Sequence, residues 1–355
     1  MSKSKFNIFQ VLAKDDKELI HSEMVKFLLL ENNLFWDFLK SKLPPQESLD
    51  FVRDKFGEIE TEKSYSVEVS DSNNNKKYRK RMRVDVQSIG AISEASDSIL
   101  LIENKFKSFP YLEQVNNYND LCNENFKHHF KFLLCFDSSL VTFEHDWNVL
   151  GYKDLVGFLE SNSEKYNNDY QQLVMIDHYI EFLKEYLEGY SVALENCKSV
   201  FTNMNLGKNK FWMKLIFSAL HLKLYAYFKE KGVKVKFVVN PGSTSTPLIN
   251  IIPEEWKLDG NELLIQFQGS DLKLYSHSQD KEFGKLWIGK AKLFNKFEEG
   301  NFKFKKFTKR KPNSYYICKC DIKDRLSGDN FKLRDLYEEI ICFYKEIDLF
   351  IKVGS

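Results

Sequence analysis

Ser98-Ile99-Leu100-Leu101-Ile102-Glu103-Asn104-Lys105-Phe106 is a short apolar run that closes on an acid and a lysine with one residue between them. Its unbroken β-branched and leucine side chains predict a strand buried on both faces of a sheet. Side chains alternate along a strand, so Glu103 and Lys105 share a face, about 7 Å apart. Charges at the end of a buried strand need partners, because an unpaired one costs several kcal/mol. A second acid lies upstream in Arg83-Val84-Asp85-Val86, within another strand-like segment; seventeen residues separate Asp85 from Glu103. Two carboxylates and a lysine meeting on neighbouring strands make a site for a divalent cation and a polarised water. Without a cation the two acids would repel each other. The alternative is a structural ion-pair network joining Asp85 and Glu103 to Arg81, Arg83 and Lys105.

The flanking sequence supplies an ordered frame. Asp15 and Asp16 can cap a helix running to about Glu31, whose Ile20, Met24, Phe27 and Leu28 form a core stripe. Glu18, His21 and Ser22 fall on an adjacent edge of it. A second helix, about Leu34 to Leu43, stops before Pro44-Pro45. Strands are expected at 62–70, 78–89 and 98–106, joined by turns at Asp71–Asn75 and Gly90–Asp97. Pro110 then suits the first turn of a helix that carries Gln114 and Tyr118 at i, i+4, on one face. Phe130 to Phe136 reads as a further apolar strand. A strand–helix–strand crossover of this length predicts that it lies parallel to the Glu103 strand. Helices near 152–160 and 168–188 close the domain.

Asp85, then Glu103-Asn104-Lys105, then Gln114-x-x-x-Tyr118, with Glu18-x-x-His21-Ser22 ahead of them, resembles the PD-(D/E)XK nuclease superfamily. The resemblance spans roughly residues 5 to 185. The Gln-x-x-x-Tyr element is similar to its exonuclease-like branch, and the first helix to a bacterial subgroup. Val84 stands where the family name has proline. The resemblance implies an α/β, restriction-endonuclease-like core of helix, three-strand meander, helix and strand. It implies an endo- or exodeoxyribonuclease that hydrolyses phosphodiester bonds in DNA, RNA being less expected, with Mg²⁺ as cofactor and Mn²⁺ as its substitute. Asp85, Glu103 and Lys105 would then be catalytic. Asp85, Glu103, the backbone carbonyl of Asn104, and Glu18 would be metal ligands. Glu18, His21, Gln114 and Tyr118 would support the site or touch the nucleic-acid backbone. A part in bacterial defence against foreign DNA is a further expectation from the superfamily. The rival reading is a catalytically silent module that keeps the fold to bind nucleic acid or a protein. The presence of both acids and the lysine argues against it.

Net charge is +1, so no global field draws the chain to nucleic acid, and binding must rest on local patches. Lys76-Lys77-Tyr78-Arg79-Lys80-Arg81-Met82-Arg83 holds six cations in eight residues and leads directly into Asp85. Lys77, Arg79, Lys80, Arg81 and Arg83 are the candidate phosphate contacts. Phe302 to Phe307, with Lys309, Arg310 and Lys311, alternates aromatic and basic, which an amphipathic strand with phenylalanines in and lysines out explains better than a nucleic-acid patch.

At 355 residues the chain has room for two domains, and its 43% apolar and 29% charged content is that of a folded, water-exposed protein. Periodicity weakens from Glu195 to Lys208, so the expected domains are 1–195, nuclease-like, and 208–355, an α+β accessory domain. The latter should hold a helix at Phe211–Lys231, strands at 233–239, 247–252, 261–268 and 271–276, and a helix near 280–298. Strands near 301–307 and 314–320 and a last helix from about Leu333 to Phe350 complete it. It shows no catalytic motif; selecting substrate, recruiting a protein partner or forming a homodimer are its expected roles. Six cysteines without Cys-x-x-Cys or paired histidines read as reduced structural residues. No run is long enough for a membrane span, and Met1–Lys5 lacks a signal-peptide core, so no membrane association and a cytoplasmic location are expected.

Overall fold

Glu103 sits in the middle strand of a five-stranded sheet. The strands are β1 (Phe56–Ser70), β2 (Lys77–Gly90), β3 (Ser98–Lys105), β4 (His128–Cys135) and β5 (Asn148–Gly151), in that spatial order. β1, β2 and β3 pair antiparallel as a meander, whereas β3–β4 and β4–β5 are parallel. This computed structural model describes residues 8–9, 18–31, 33–70, 77–90, 98–106, 112–141, 145–166, 170–197, 207–239, 247–258, 261–276, 305–306, 315–322 and 331–354. The expected caps Asp15 and Asp16, the two meander turns beyond Gly90 and Ser70, Pro110, the helix near 280–298 and most of the 302–311 patch lie outside those residues.

Helices cover both faces of the sheet. Before it come α1 (Glu18–Glu31), α2 (Asn33–Lys40) and α3 (Pro45–Asp50); α4 (Leu112–Asn125) connects β3 to β4, and α5 (Tyr152–Asn162) and α6 (Tyr170–Glu195) follow β5. α2 ends at Lys40, three residues short of the expected Leu43, and the proline pair starts α3, with Pro45 in the first turn, where its missing N–H is not needed. Every residue of β3 is buried, as its unbroken apolar run requires. Its odd-numbered side chains Ile99 and Leu101 pack with Val115, Tyr118, Leu121 and Cys122 of α4 and with Leu133 of β4. On the opposite face, Phe106 packs against Tyr152, Phe182 and Tyr186, and Phe51 against Phe130 and Phe132. β5 was not foreseen, because four residues are too few to display a period.

The chain separates into two units, Met1–Leu187 and Glu188–Ser355. In the second, α7 (Gly207–Glu230) and α8 (Leu333–Gly354) accompany an antiparallel sheet. Its described strands are β6 (Val235–Val239), β7 (Leu248–Pro253), β8 (Lys257–Leu258), β9 (Asn261–Gln268), β10 (Asp271–Ser276), β11 (Lys305–Lys306) and β12 (Tyr315–Asp321). Phe217 of α7 stacks on Phe267 of β9 with ring centroids 4.7 Å apart, and Tyr344 of α8 stacks on Trp256. No helix among the described residues is long and apolar enough to cross a membrane. Burial pushes the free thiols of Cys122 up to about 11 and of Cys135 and Cys197 up to about 12, so all three are held as neutral core residues.

Gly90 closes β2 where β1 and β3 both pair with it, opposite Phe56 and Ser98. A Cβ there would stand 2.3 Å from the backbone oxygen of Lys55. Gly90→Ala is therefore expected to destabilise the first unit by about 1–3 kcal/mol through backbone displacement, read as a lower urea midpoint at unchanged slope.

Candidate metal centre

β2 and β3 separate where the two acids meet. Their register runs from Gly90↔Ser98 to Val86↔Ile102. One step further along the same register Asp85 faces Glu103, and there the ladder stops. In place of a backbone acceptor, the Asn104 N–H donates to Asp85 Oδ2 at 2.8 Å. In an extended strand a residue's N–H and C=O point to the same neighbour, so the Asn104 carbonyl is also turned towards β2.

The cause lies in β1 and β2 together. Their pairing lapses for one residue on each strand, between Thr61↔Val86 and Lys63↔Val84, with the same register on either side. Glu62 and Asp85 are the residues that step out, and Glu62 takes φ +56°, the one positive value for a non-glycine residue among those described. Alternation changes across the lapse. Met82 and Val84 pack on the α4 side, yet so does Gln87, which lies opposite Leu101 and accepts from Tyr65 Oη at 2.6 Å. Such an irregularity re-aims a side chain; here it frees the Asp85 carboxylate to cap β3.

Glu103 and Lys105 are 2% and 8% exposed and form an ion pair with each other through Glu103 Oε1. Gln114 Nε2 of α4 donates to that same oxygen at 2.6 Å, which places Glu103 on the α4 side of the sheet. Gln114 also donates to Tyr118 Oη at 3.1 Å, and Tyr118 donates to the backbone oxygen of Arg83 at 2.7 Å. One helical turn thus ties Glu103 to the strand that carries Asp85. Burial, and then the charge of Glu103, push the Tyr118 phenol far above its ordinary range, so it remains a neutral donor. The stability this confers is complete below the ordinary phenol value near pH 10 and declines as pH rises beyond it. Glu103 is ion-paired with the buried Lys105, and breaking a buried pair by removing one charge costs about 3–5 kcal/mol.

Not every expected supporting residue reaches this cleft. His21 is fully buried and stacks on Phe106 with ring centroids 3.9 Å apart. Its neighbour Ser22 accepts from Asn104 Nδ2 at 3.3 Å. Asn104 and Phe106 point away from Glu103 by strand alternation, so His21 and Ser22 support β3 from behind. They cannot touch a nucleic-acid backbone, nor can Tyr118, which is buried under α4. Arg83 is largely exposed and bridges Glu62 at 2.5 Å, and Arg81 donates to Ser64 Oγ at 3.2 Å. The side chains of Glu18, Lys77, Arg79 and Lys80 lie outside the described set. Sequence reading missed Glu62, whose positive φ no glycine announces, and Tyr152, whose hydroxyl donates to Asn104 Oδ1.

Two carboxylates and a main-chain carbonyl are hard oxygen donors. Among the described residues no three His, Cys, Asp or Glu side chains converge as a metal cage. A cation held here would keep water or phosphate oxygens in the rest of its shell, as Mg²⁺ characteristically does. The residues present fit such a cation.

Residues 6–187, just over half of the 355-residue chain, match the PD-(D/E)XK nuclease superfamily. The chain belongs to that superfamily, and its mixed five-stranded sheet flanked by helices is consistent with the superfamily's fold. No curated protein and no solved structure matches it.

Tyr118→Phe keeps the ring in the core and removes the bond to the Arg83 carbonyl and the acceptor of Gln114 Nε2, which keeps its bond to Glu103. It is expected to destabilise the first unit by about 1–3 kcal/mol, since a buried carbonyl loses its donor. Chemical denaturation of the two proteins reads this directly; an unchanged midpoint would mean that α4 is not held to β2 by this hydroxyl.

Proposed function

We propose that the protein is a Mg²⁺- or Mn²⁺-dependent nuclease that hydrolyses phosphodiester bonds in DNA, and less readily RNA. The observation that carries this reading is the break in the sheet at Asp85, whose carboxylate takes the Asn104 N–H between the two members of the Glu103–Lys105 pair. A structural ion pair would need neither the break nor Asp85.

In this reading Asp85, Glu103 and the Asn104 carbonyl hold the cation, with Glu18 as a further acid from α1. The bound cation supplies a water of lowered pKa and neutralises charge on the scissile phosphate. Lys105, held in place by Glu103, donates to the attacking water or to the oxygen on which charge develops. Gln114 shares the other side of Glu103 Oε1 and fixes the carboxylate's rotation. Arg81, Arg83 and the preceding Lys77, Arg79 and Lys80 run along β2 towards the cleft and take the phosphates on either side. Arg83 would exchange Glu62 for a phosphate. The second unit serves as the accessory domain, selecting substrate or a protein partner, and the protein acts in the cytoplasm, in a defence role against foreign DNA.

Asp85→Asn is the cleaner of the two acid variants, because the amide oxygen can still accept from Asn104. Cleavage of a labelled duplex in Mg²⁺ or Mn²⁺ is expected to fall about 10²–10³-fold, as when one electrostatic stabiliser is lost. Metal-free binding should hold or tighten, and the melting temperature should change little. Glu103→Gln should abolish cleavage too, but with a clear loss of stability from breaking the buried Glu103–Lys105 pair. If wild-type protein cuts neither DNA nor RNA with either metal, and Asp85→Asn melts well below it, the acids are structural and the chain is a binding module.

The basic strand has its own readout. Lys80→Glu combined with Arg81→Glu is expected to weaken DNA binding and flatten the slope of log affinity against log salt by about 1–2. Equal slopes would remove β2 from the interface.

A further inference from the structure

Behind β3, on the face away from Glu103, a set of polar groups is sealed inside an aromatic cage. Tyr152 stands at the step from β5 into α5, where Asp154 Oδ2 accepts from the Gly151 N–H at 2.9 Å and fixes the start of the helix. Tyr152 is fully buried, edge-on to Phe106, and its hydroxyl donates to Asn104 Oδ1. Asn104 Nδ2 donates to Ser22 Oγ at 3.3 Å. Tyr179 Oη lies 2.9 Å from His21 Nδ1, and the His21 ring borders both Tyr179 and Tyr152.

An amide oxygen can only accept, so the single Tyr152 proton is committed to Asn104. Tyr179 and His21 extend the same buried polar cluster behind it.

Burying these groups is costly unless every one is satisfied, and an apolar side chain at position 104 would fill the same space more cheaply. Packing therefore does not explain them. Asn104 is, however, the residue whose N–H meets Asp85 and whose carbonyl faces the same gap. We infer that Tyr152 is a positioning residue of the metal centre: it acts through the Asn104 side chain to fix the rotation of that peptide, and with it the carbonyl and the Asp85 carboxylate. The inference rests on the metal-dependent reading proposed above.

Titration of Mn²⁺ into the full chain, followed by calorimetry without nucleic acid, tests it. Tyr152→Phe keeps the ring and is expected to weaken Mn²⁺ binding about 10–100-fold, as loss of an outer partner of a metal ligand does, with unchanged stoichiometry and far-UV circular dichroism. Asn104→Ala should weaken it as well. Adding Tyr152→Phe to Asn104→Ala should then change affinity by less than about twofold, because the hydroxyl acts only through that amide. Should Tyr152→Phe fail to fold, Tyr179→Phe removes the neighbouring hydroxyl of the same polar cluster and is expected to weaken binding in the same direction. Wild-type affinity in the folded variant, or a full additional loss in the Asn104→Ala background, would overturn the inference while leaving the nuclease reading intact. Absence of any Mn²⁺ binding by the wild type would instead overturn that reading, and this inference with it.

Discussion

The hydrogen bond from the Asn104 N–H to the Asp85 carboxylate is the constraint on which the rest of the centre depends. A buried backbone donor must be satisfied, and in a continuing antiparallel ladder a β2 carbonyl would do it. Here a charged side chain does, a bond worth about 1.5–3 kcal/mol. The substitution ends the β2–β3 ladder at Val86↔Ile102 and leaves a gap lined by oxygen. It also requires Asp85 to leave the β1–β2 ladder, and Glu62 leaves with it, in a conformation that disfavours side chains. The positive φ of Glu62 and the end of the β2–β3 ladder at Asp85 are two parts of one local geometry.

The sheet divides the labour between its faces. On one, α4 delivers Gln114 and Tyr118, and the carboxylate of Glu103 is held between an amide and an ammonium. On the other, α1, α5 and α6 deliver Ser22, Tyr152, Tyr179 and His21, of which Ser22 and Tyr152 hydrogen-bond the Asn104 side chain. Glu103, Asn104 and Lys105 alternate between these faces, so three consecutive residues gather support from both. A strand of period two is the only regular element that permits this.

That alternation is why the core of the site was readable in the sequence. Glu103 and Lys105 share a face by spacing alone, and Gln114 and Tyr118 by the helical repeat; the structure joins Glu103, Lys105, Gln114 and Tyr118 in one hydrogen-bonded set. His21 illustrates the limit. A helical edge is defined by spacing, but which side of the sheet it meets is decided by tertiary packing, and α1 presents His21 to Phe106 instead of to the carboxylates. Asp85 was found as an acid in a strand, yet its departure from the ladder leaves no mark in composition: neither it nor Glu62 is a glycine or a proline. Tyr152 follows a four-residue strand too short to show a period, so nothing local distinguished it from other core aromatics. Repulsion between Asp85 and Glu103 is what the sequence spacing suggests, whereas the burial of Lys105 against Glu103 is set by tertiary packing.

Anomalous diffraction from a crystal of the full chain soaked in Mn²⁺ tests the central claim most directly. The account predicts a manganese peak in the gap between β2 and β3, about 2.0–2.6 Å from carboxylate oxygens of Asp85 and Glu103 and from the Asn104 carbonyl. An empty gap at saturating Mn²⁺, with the Asp85–Asn104 bond and the Glu103–Lys105 pair unchanged, would contradict it.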